Sequence, residues 1–378
     1  MGERPVRLKM DQAILNRLTS TALRGVPTKA VDRPILSCLH LKATAKTLTV
    51  TGTDTATTSR ASASVEAGET GEVATAATVL ASLVAQLPPG EVMLSTEDGG
   101  LRVKAGQGSW LLRVAAADAF PTIVSPKGTK VDLSAAAVRA GLVDVLQYAS
   151  DDLSKPALMG CLLVADPEGL RLVACDSVSL ATRLLRGETV LAEDETVLPP
   201  AKDLSLLLPM LEEVDKFSAV FAKQSVAFQA SHNGVGTEAI STLIAKEYPP
   251  WANLVKPRLD NQLTVNQTEL LAAVRRCALL GGSARVMIMH LDPDTGVRLS
   301  LSHNEVGEGS ELVGGEYEGE PVAVGFQASR VATVLETLPG EVAVFRQLGE
   351  RMPVRVTSPD DDDLLMLVMP LLVPKAQK

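Results

Sequence analysis

The chain lacks most of the sequence marks of small-molecule chemistry. Its four cysteines, Cys38, Cys161, Cys175 and Cys277, stand singly with no CxxC pair, so neither a disulfide framework nor a thiolate zinc site is indicated, and reduced, mostly buried thiols are expected. The histidines His40, His232, His290 and His303 show no HxH or HxxxH spacing, and GxGxxG, GxxxxGK[ST] and GxSxG are all missing. No local pattern of paired carboxylates suited to glycosidase or protease work occurs either. No cofactor and no metal are therefore expected, and support for an enzyme falls. There is no run of 18 apolar residues, and Met1-Gly2-Glu3-Arg4-Pro5 lacks the apolar stretch of a secretory leader, so a cytoplasmic chain without membrane segments is expected. Excess positive charge is also lacking. With 36 basic against 45 acidic residues the net charge is −9, which opposes the phosphate neutralisation behind ordinary DNA affinity.

What the sequence does contain is a threefold repetition of one order of elements, about every 125 residues. Each repeat opens with a short apolar strand running into a helical pattern: Val6-Arg7-Leu8 before Ile14-Leu15, Val131-Asp132-Leu133 before Val138-Arg139, and Leu263-Thr264-Val265 before Leu270-Leu271. A second helix is predicted at Ala77 to Leu87, Ala201 to Leu211 and Ala328 to Leu338. Two of these exits read nearly alike, Leu87-Pro88-Pro89-Gly90-Glu91-Val92 and Leu338-Pro339-Gly340-Glu341-Val342, where Pro and Gly stop the helix and a strand follows. Between the helices, Leu48 to Asp54 parallels Leu170 to Asp176, with Val297 to Leu301 as a weaker third. Phe120-Pro121 and Tyr248-Pro249 close the first two repeats alike. Three domains are expected, at residues 1–125, 126–256 and 257–378, each long enough for its own core.

Several polar features have a plain structural reading. Asp54 and Asp176 follow a strand and read as turn or cap residues. The run Asp360 to Asp363 reads as a solvated hairpin loop rather than a cation site. Glu311, Glu316, Glu318 and Glu320 around Gly314-Gly315 read as the exposed edge of a strand pair, ready to meet a basic surface.

Arg33-Pro34-Ile35-Leu36-Ser37 before an alternating strand, Thr51-Gly52-Thr53-Asp54, the Phe120-Pro121 and Tyr248-Pro249 endings, Ala174-Cys175-Asp176 with Leu180-Ala181, and Val368-Met369-Pro370-Leu371 stand in a family's order and spacing. Through them the chain resembles, over nearly its whole length, the bacterial sliding clamps, the β subunits of DNA polymerase III. The resemblance implies an α+β fold of three clamp domains, each with two helices backed by antiparallel sheets. It also implies a head-to-tail homodimer forming a six-domain ring, with helices inside and sheets outside. Such a ring is a processivity factor and not an enzyme: it encircles double-stranded DNA without reading sequence, and it tethers polymerase and clamp loader subunits that carry short linear motifs. Topological linkage needs no tight binding, which reconciles the acidic charge with DNA.

By the same resemblance, Arg17, Arg24, Arg139, Lys202, Arg275, Arg276 and Arg330 face DNA, interspersed with Asp11, Asp144, Glu269 and Glu336; ordinary solvated helix faces are the other reading. Lys29 and Lys155 are additional contacts, although Pro156-Ala157 stand where many members carry aromatics. A peptide-binding pocket is implied at Leu158, Cys175, Ser177, Val178, Ser179, Leu180, Pro249, Asn253, Leu254, Met352, Pro353, Leu367, Met369, Pro370, Leu371 and Leu372, mostly apolar as Leu or Phe anchors require; core packing is the other reading. Ser177-Val178-Ser179, Asn253 and Leu372 depart from the family's more polar or cationic residues. They imply a less basic pocket and a specialised clamp, such as a phage or second-copy one. The tail Val373 to Lys378 either shades the pocket or is disordered. For ring closure, Leu83, Leu87 and Trp110 are expected to face Leu279 and Leu280, with Arg102 and Lys104 pairing Glu316 and Glu318. A clamp-fold scaffold that binds peptides without DNA is the alternative. An enzyme with an unrecognised site is a more distant one.

Overall fold

The structure, a computed structural model, describes residues 6–29, 32–97, 99–188, 195–212, 214, 216–256, 261–281, 286–303, 307–349 and 351–373. One order of elements recurs three times along it. The first run is β1 (Arg7–Asp11), α1 (Gln12–Leu23), β2 (Cys38–Ala43), β3 (Thr47–Thr53), β4 (Thr57–Ser64), β5 (Ala67–Glu69), β6 (Gly71–Ala76), α2 (Ala77–Gln86), β7 (Glu91–Glu97), β8 (Gly100–Ala105) and β9 (Gly108–Ala115). The second is β10 (Thr129–Asp132), α3 (Ala135–Val145), β11 (Leu162–Asp166), β12 (Gly169–Cys175), β13 (Ser179–Arg186), β14 (Thr196–Val197), α4 (Ala201–Ser205), β15 (Lys216–Phe221), β16 (Ser225–His232) and β17 (Val235–Thr242). The third is β18 (Gln262–Asn266), α5 (Gln267–Gly281), β19 (Val286–Asp292), β20 (Gly296–His303), β21 (Gly307–Val313), β22 (Gly315–Glu318), β23 (Val322–Gln327), α6 (Ala328–Thr337), β24 (Val342–Arg346), β25 (Val354–Ser358) and β26 (Asp361–Val368).

Local chemistry sets the element boundaries. The Asp11 carboxylate accepts from the Ala13 amide at 2.8 Å, and the Asn266 side chain accepts from the Glu269 amide at 3.0 Å, so α1 and α5 are capped in the same way where a strand turns into a helix. Leu15, Leu18 and Ala22 recur at helical spacing and give α1 its buried face. That face lies close on β3: a Cβ on Gly52 would stand 2.2 Å from the Ala22 carbonyl oxygen, so only glycine permits the approach.

The chain forms two compact units, one of residues 1–139 with 202–245, the other of 140–201 with 246–378. The first unit holds a 13-stranded antiparallel sheet that is continuous from the first run into the second, because β4 pairs with β17 from Ala63 opposite Val235 to Thr57 opposite Ser241. Its core includes Leu8, Leu15, Leu18, Leu41, Leu48, Leu80, Leu94 and Leu101. The second unit holds a nine-stranded and a four-stranded sheet. There β13 pairs with β26, Ser179 opposite Val368 and Arg183 opposite Leu364, and joins the second run to the third. Its core includes Tyr148, Val331, Phe326, Phe345 and Met366.

Three expectations need correction. The middle second helix stops at Ser205 rather than Leu211. Leu206, Leu207 and Leu208 bond three residues back, and Pro209 has no amide to donate and disfavours helix at the residue before it. Asp360 to Asp363 are a solvated hairpin loop only in part: Asp360 is exposed in the turn between β25 and β26, and the other three belong to the strand. Asp361 opens β26 and pairs with Arg183, while Asp363 pairs with Arg186 at 2.7 Å, so the acidic run ties β26 to the arginines of β13. Leu87 is 6% exposed and belongs to the core of its own unit, leaving almost no surface for a partner.

Candidate functional site

The turns after β3 and β12 are built alike. The Asp54 carboxylate accepts the amides of Ala56 at 3.0 Å and Thr57 at 2.6 Å, and Asp176 accepts those of Val178 at 3.1 Å and Ser179 at 2.8 Å. Thr55 and Ser177, the residues after each aspartate, are left-handed at φ 81 and 82. Both aspartates are turn residues, as expected. Each also holds a cation from a second helix of the next run: Lys202 lies 3.7 Å from Asp54, and Arg330 lies 2.6 Å from Asp176.

Most residues expected in the pocket gather around the Asp176 turn in the second unit. The Met369 amide donates to the Val178 carbonyl at 2.8 Å, and Leu180 stands opposite Leu367 in the β13–β26 ladder. The Tyr248 hydroxyl donates to the Cys175 sulfur at 3.5 Å, which brings the Pro249 segment in. Arg355 donates to the Val255 carbonyl at 3.2 Å and fixes the short 3-10 turn Trp251–Asn253 and Leu254 after it. Met352 and Pro353 lead into β25, whose Val354 faces Val368, and the Leu371 amide donates to the Gly325 carbonyl at 2.8 Å. Leu158 is buried in the 3-10 turn Pro156–Met159, its carbonyl accepting the Ser150 amide at 2.8 Å. Leu254, Met352 and Leu372 are 47%, 43% and 72% exposed, so apolar surface is left open beside the buried Leu180, Pro353 and Leu367. Burial raises the Cys175 thiol's pKa above its ordinary value, keeping it a neutral part of this lining. Pro374 to Lys378 of the tail lie outside the described residues.

The expected DNA-facing cations are mostly engaged within the chain. Arg139 pairs with Glu212 at 3.1 Å, Arg275 with Glu336 at 2.9 Å, Arg276 with Glu311 at 2.5 Å, and Lys155 lies 3.8 Å from Asp152. Arg17 and Arg24 line a small cavity with Met210 and Val235, where burial, partly offset by Glu212, lowers the Arg24 pKa. Lys29 is exposed in the segment after α1.

At the expected interface Trp110 is 37% exposed, Leu279 is 83% exposed, Leu280 is half-buried, and Leu83 packs against its own core. Arg102 already bonds Glu97 at 2.6 Å, Lys104 is half-buried on β8, and Glu316 and Glu318 are exposed on β22, an edge strand of its sheet. Sequence reasoning missed the exposed Leu111 and Leu312, at 46% and 70%; alternation along β9 and β21 was the available signal.

A cavity of about 550 Å³ lies elsewhere, in the first unit, between His40, Arg60 and Glu72 on the sheet and residues 117–123. It is polar and charge-balanced, in contrast to the apolar residues gathered near Leu180. Among the described residues no group of His, Cys, Asp and Glu is placed to hold a metal ion, and no helix is long and apolar enough to cross a membrane.

Residues 10–124 match the family model described as DNA polymerase III beta subunit, N-terminal domain, and residues 257–372 match that of its C-terminal domain. The beta sliding clamp of Synechococcus elongatus is 26% identical over 97% of this chain and 99% of its own length. That of Vibrio cholerae is 26% identical over 89% of this chain and 92% of its own. The crystal structure of the C. crescentus beta sliding clamp superposes with a TM-score of 0.91 at 24% identity, covering 98% of this chain and all (100%) of that one. A Pseudomonas aeruginosa sliding clamp bound to griselimycin gives 0.89 at 23% identity, covering 98% and 100%.

Proposed function

Because the chain belongs to the DNA polymerase III β-subunit family, the sliding clamps, we propose that it closes as a homodimeric ring around duplex DNA and captures partners in the pocket at the Asp176 turn. It is a DNA sliding clamp, a non-catalytic processivity factor. The observation that carries the ring is the unfinished repetition of its sheets. β4 pairs with β17 and β13 with β26, each time the fourth sheet strand of one run, or its counterpart, against the last strand of the next. By that rule β21 and β9 remain, and each of them has an open side. β21 ends its sheet, and β9 meets β6 only at Val114 and Ala115, leaving Gly108 to Arg113 paired on one side among the described residues. Joining β9 of one copy to β21 of another closes two chains of three domains, at 1–125, 126–256 and 257–378, into six.

Within that ring Arg17, Arg24, Lys29, Arg139, Lys155, Lys202, Arg275, Arg276 and Arg330 are the candidate DNA-facing cations. Those already shared with carboxylates give weak, exchangeable phosphate contacts, which suit sliding better than fixed binding. The pocket takes peptides with apolar anchors, and polymerase and clamp loader subunits are the proposed carriers. A cytoplasmic location follows from that work.

Analytical ultracentrifugation followed by retention on circular against linearised DNA tests this reading. A dimer kept on circles and lost from linear ends supports it; a monomer with no such difference leaves a peptide-binding scaffold. Replacing Leu279 and Leu280 with charged residues is expected to give monomers. Reversing Arg275 and Arg276 to Glu is expected to impair loading or sliding, which a scaffold would not register.

A further inference from the structure

We infer that Arg330, expected from sequence to face DNA, is a positioning residue of the peptide pocket that acts through Asp176; the inference rests on the pocket reading above. The two oxygens of Asp176 do different work. Oδ1 receives the amides of Val178 and Ser179 and the Ser179 hydroxyl, at 3.1, 2.8 and 2.9 Å, and so shapes the turn. Oδ2 is held by Arg330 Nη2 at 2.6 Å. The Asp176 side chain is only 8% exposed, so without the guanidinium it would be a nearly buried carboxylate held at Oδ1 alone.

The turn needs such support because Ser177 at φ 82 is in the left-handed region, which residues with a side chain rarely adopt. Lys155 adds a weaker contact from outside, donating to the Ser177 hydroxyl at 3.2 Å. Shape then passes to the pocket through the backbone, since the Val178 carbonyl accepts the Met369 amide at 2.8 Å. Ser177, Val178 and Met369 are thus set by a cation that need not touch the peptide. The counterpart in the first unit is looser: Lys202 is 66% exposed and 3.7 Å from Asp54.

The test compares the full-length protein with Arg330→Gln, Arg330→Lys, Asp176→Asn and the Arg330→Gln/Asp176→Asn double variant. Amide hydrogen exchange is followed at Val178, Ser179 and Met369, and binding of a fluorescein-labelled peptide with paired Leu and Phe anchors by anisotropy. Arg330→Gln is expected to speed exchange at these amides and weaken the peptide, each about tenfold, as loss of a largely buried charge partner implies. Arg330→Lys restores most of both, and in the Asp176→Asn background Arg330→Gln adds little. Unchanged exchange in Arg330→Gln, or a lysine variant no better than glutamine, overturns the inference. A wild-type protein that ignores the peptide while its exchange responds to Arg330→Gln sinks the pocket reading instead.

Discussion

The junction of the first and second runs and that of the second and third share a backbone and differ in side chains. Leu36 in the first corresponds to Leu158 in the second, Thr53 to Cys175, Thr57 to Ser179, Thr58 to Leu180, Phe120-Pro121 to Tyr248-Pro249, and Thr242 to Met369. In the first, the polar groups satisfy one another. The Thr53 hydroxyl bonds the Thr57 carbonyl at 2.9 Å and the Thr58 hydroxyl at 2.8 Å, and the buried Asp203 carboxylate receives Thr57 at 2.7 Å and Ser241 at 2.5 Å. In the second, Leu180 and Met369 replace threonines, and exposed Leu254, Met352 and Leu372 stand near them. The same turn therefore makes a closed joint where its neighbours hydrogen-bond each other, and an adhesive one where they leave apolar surface in want of a cover.

The contrast can be tested most severely at Asp203. Asp203→Ala strands two buried hydroxyls, and a loss of roughly 3 kcal/mol is expected. Trp110 lies in the first unit and Trp251 in the second, so single-tryptophan variants in urea report the units separately. The loss belongs to Trp110, and an equal loss at Trp251 would erase the distinction. Next in size is Leu180→Thr, which gives the second junction the residue of the first. About tenfold weaker binding of the Leu–Phe peptide is expected, with the Trp110 transition unmoved.

The smallest effect concerns pH. Asp144 shares Arg183, at 3.5 Å, with Asp361, and burial raises its pKa to about 6, the arginine opposing and Asp361 adding to the shift. The folded state thus holds this proton more tightly than the unfolded chain. Its contribution is full below the unfolded value of about 4 and is lost as pH rises through 6. Relative to Asp144→Asn, the wild-type second unit should lose stability between pH 4 and 6; parallel curves would remove Asp144 from the account.

The recurring elements and both aspartate turns could be read in the sequence because they follow from local spacing: apolar alternation, Pro and Gly that stop a helix, an aspartate that follows a strand. The short α4 was marked by Pro209, but a leucine-rich helical pattern outweighed it. The engagement of the cations was not readable. Arg330 with Asp176, Arg186 with Asp363, and Arg275 with Glu336 join residues far apart in sequence, and a charge pattern on one element carries no information about the element it meets. The burial of Leu87 is hidden for a related reason, since a helix-terminal leucine reads the same whether the next layer belongs to its own core or to another chain.

On the ring proposed above, a chain that has not yet met its second copy carries β9 and β21 as open strand edges, with Trp110, Leu111 and Leu312 exposed along them. Such edges template indiscriminate pairing, and neither strand contains a proline to discourage it. Dilute or newly synthesised protein is thus in a race between ordered closure and aggregation. Its handling in the cell, and its yield on refolding, should depend on how quickly copies find each other more than on how firmly either unit is folded.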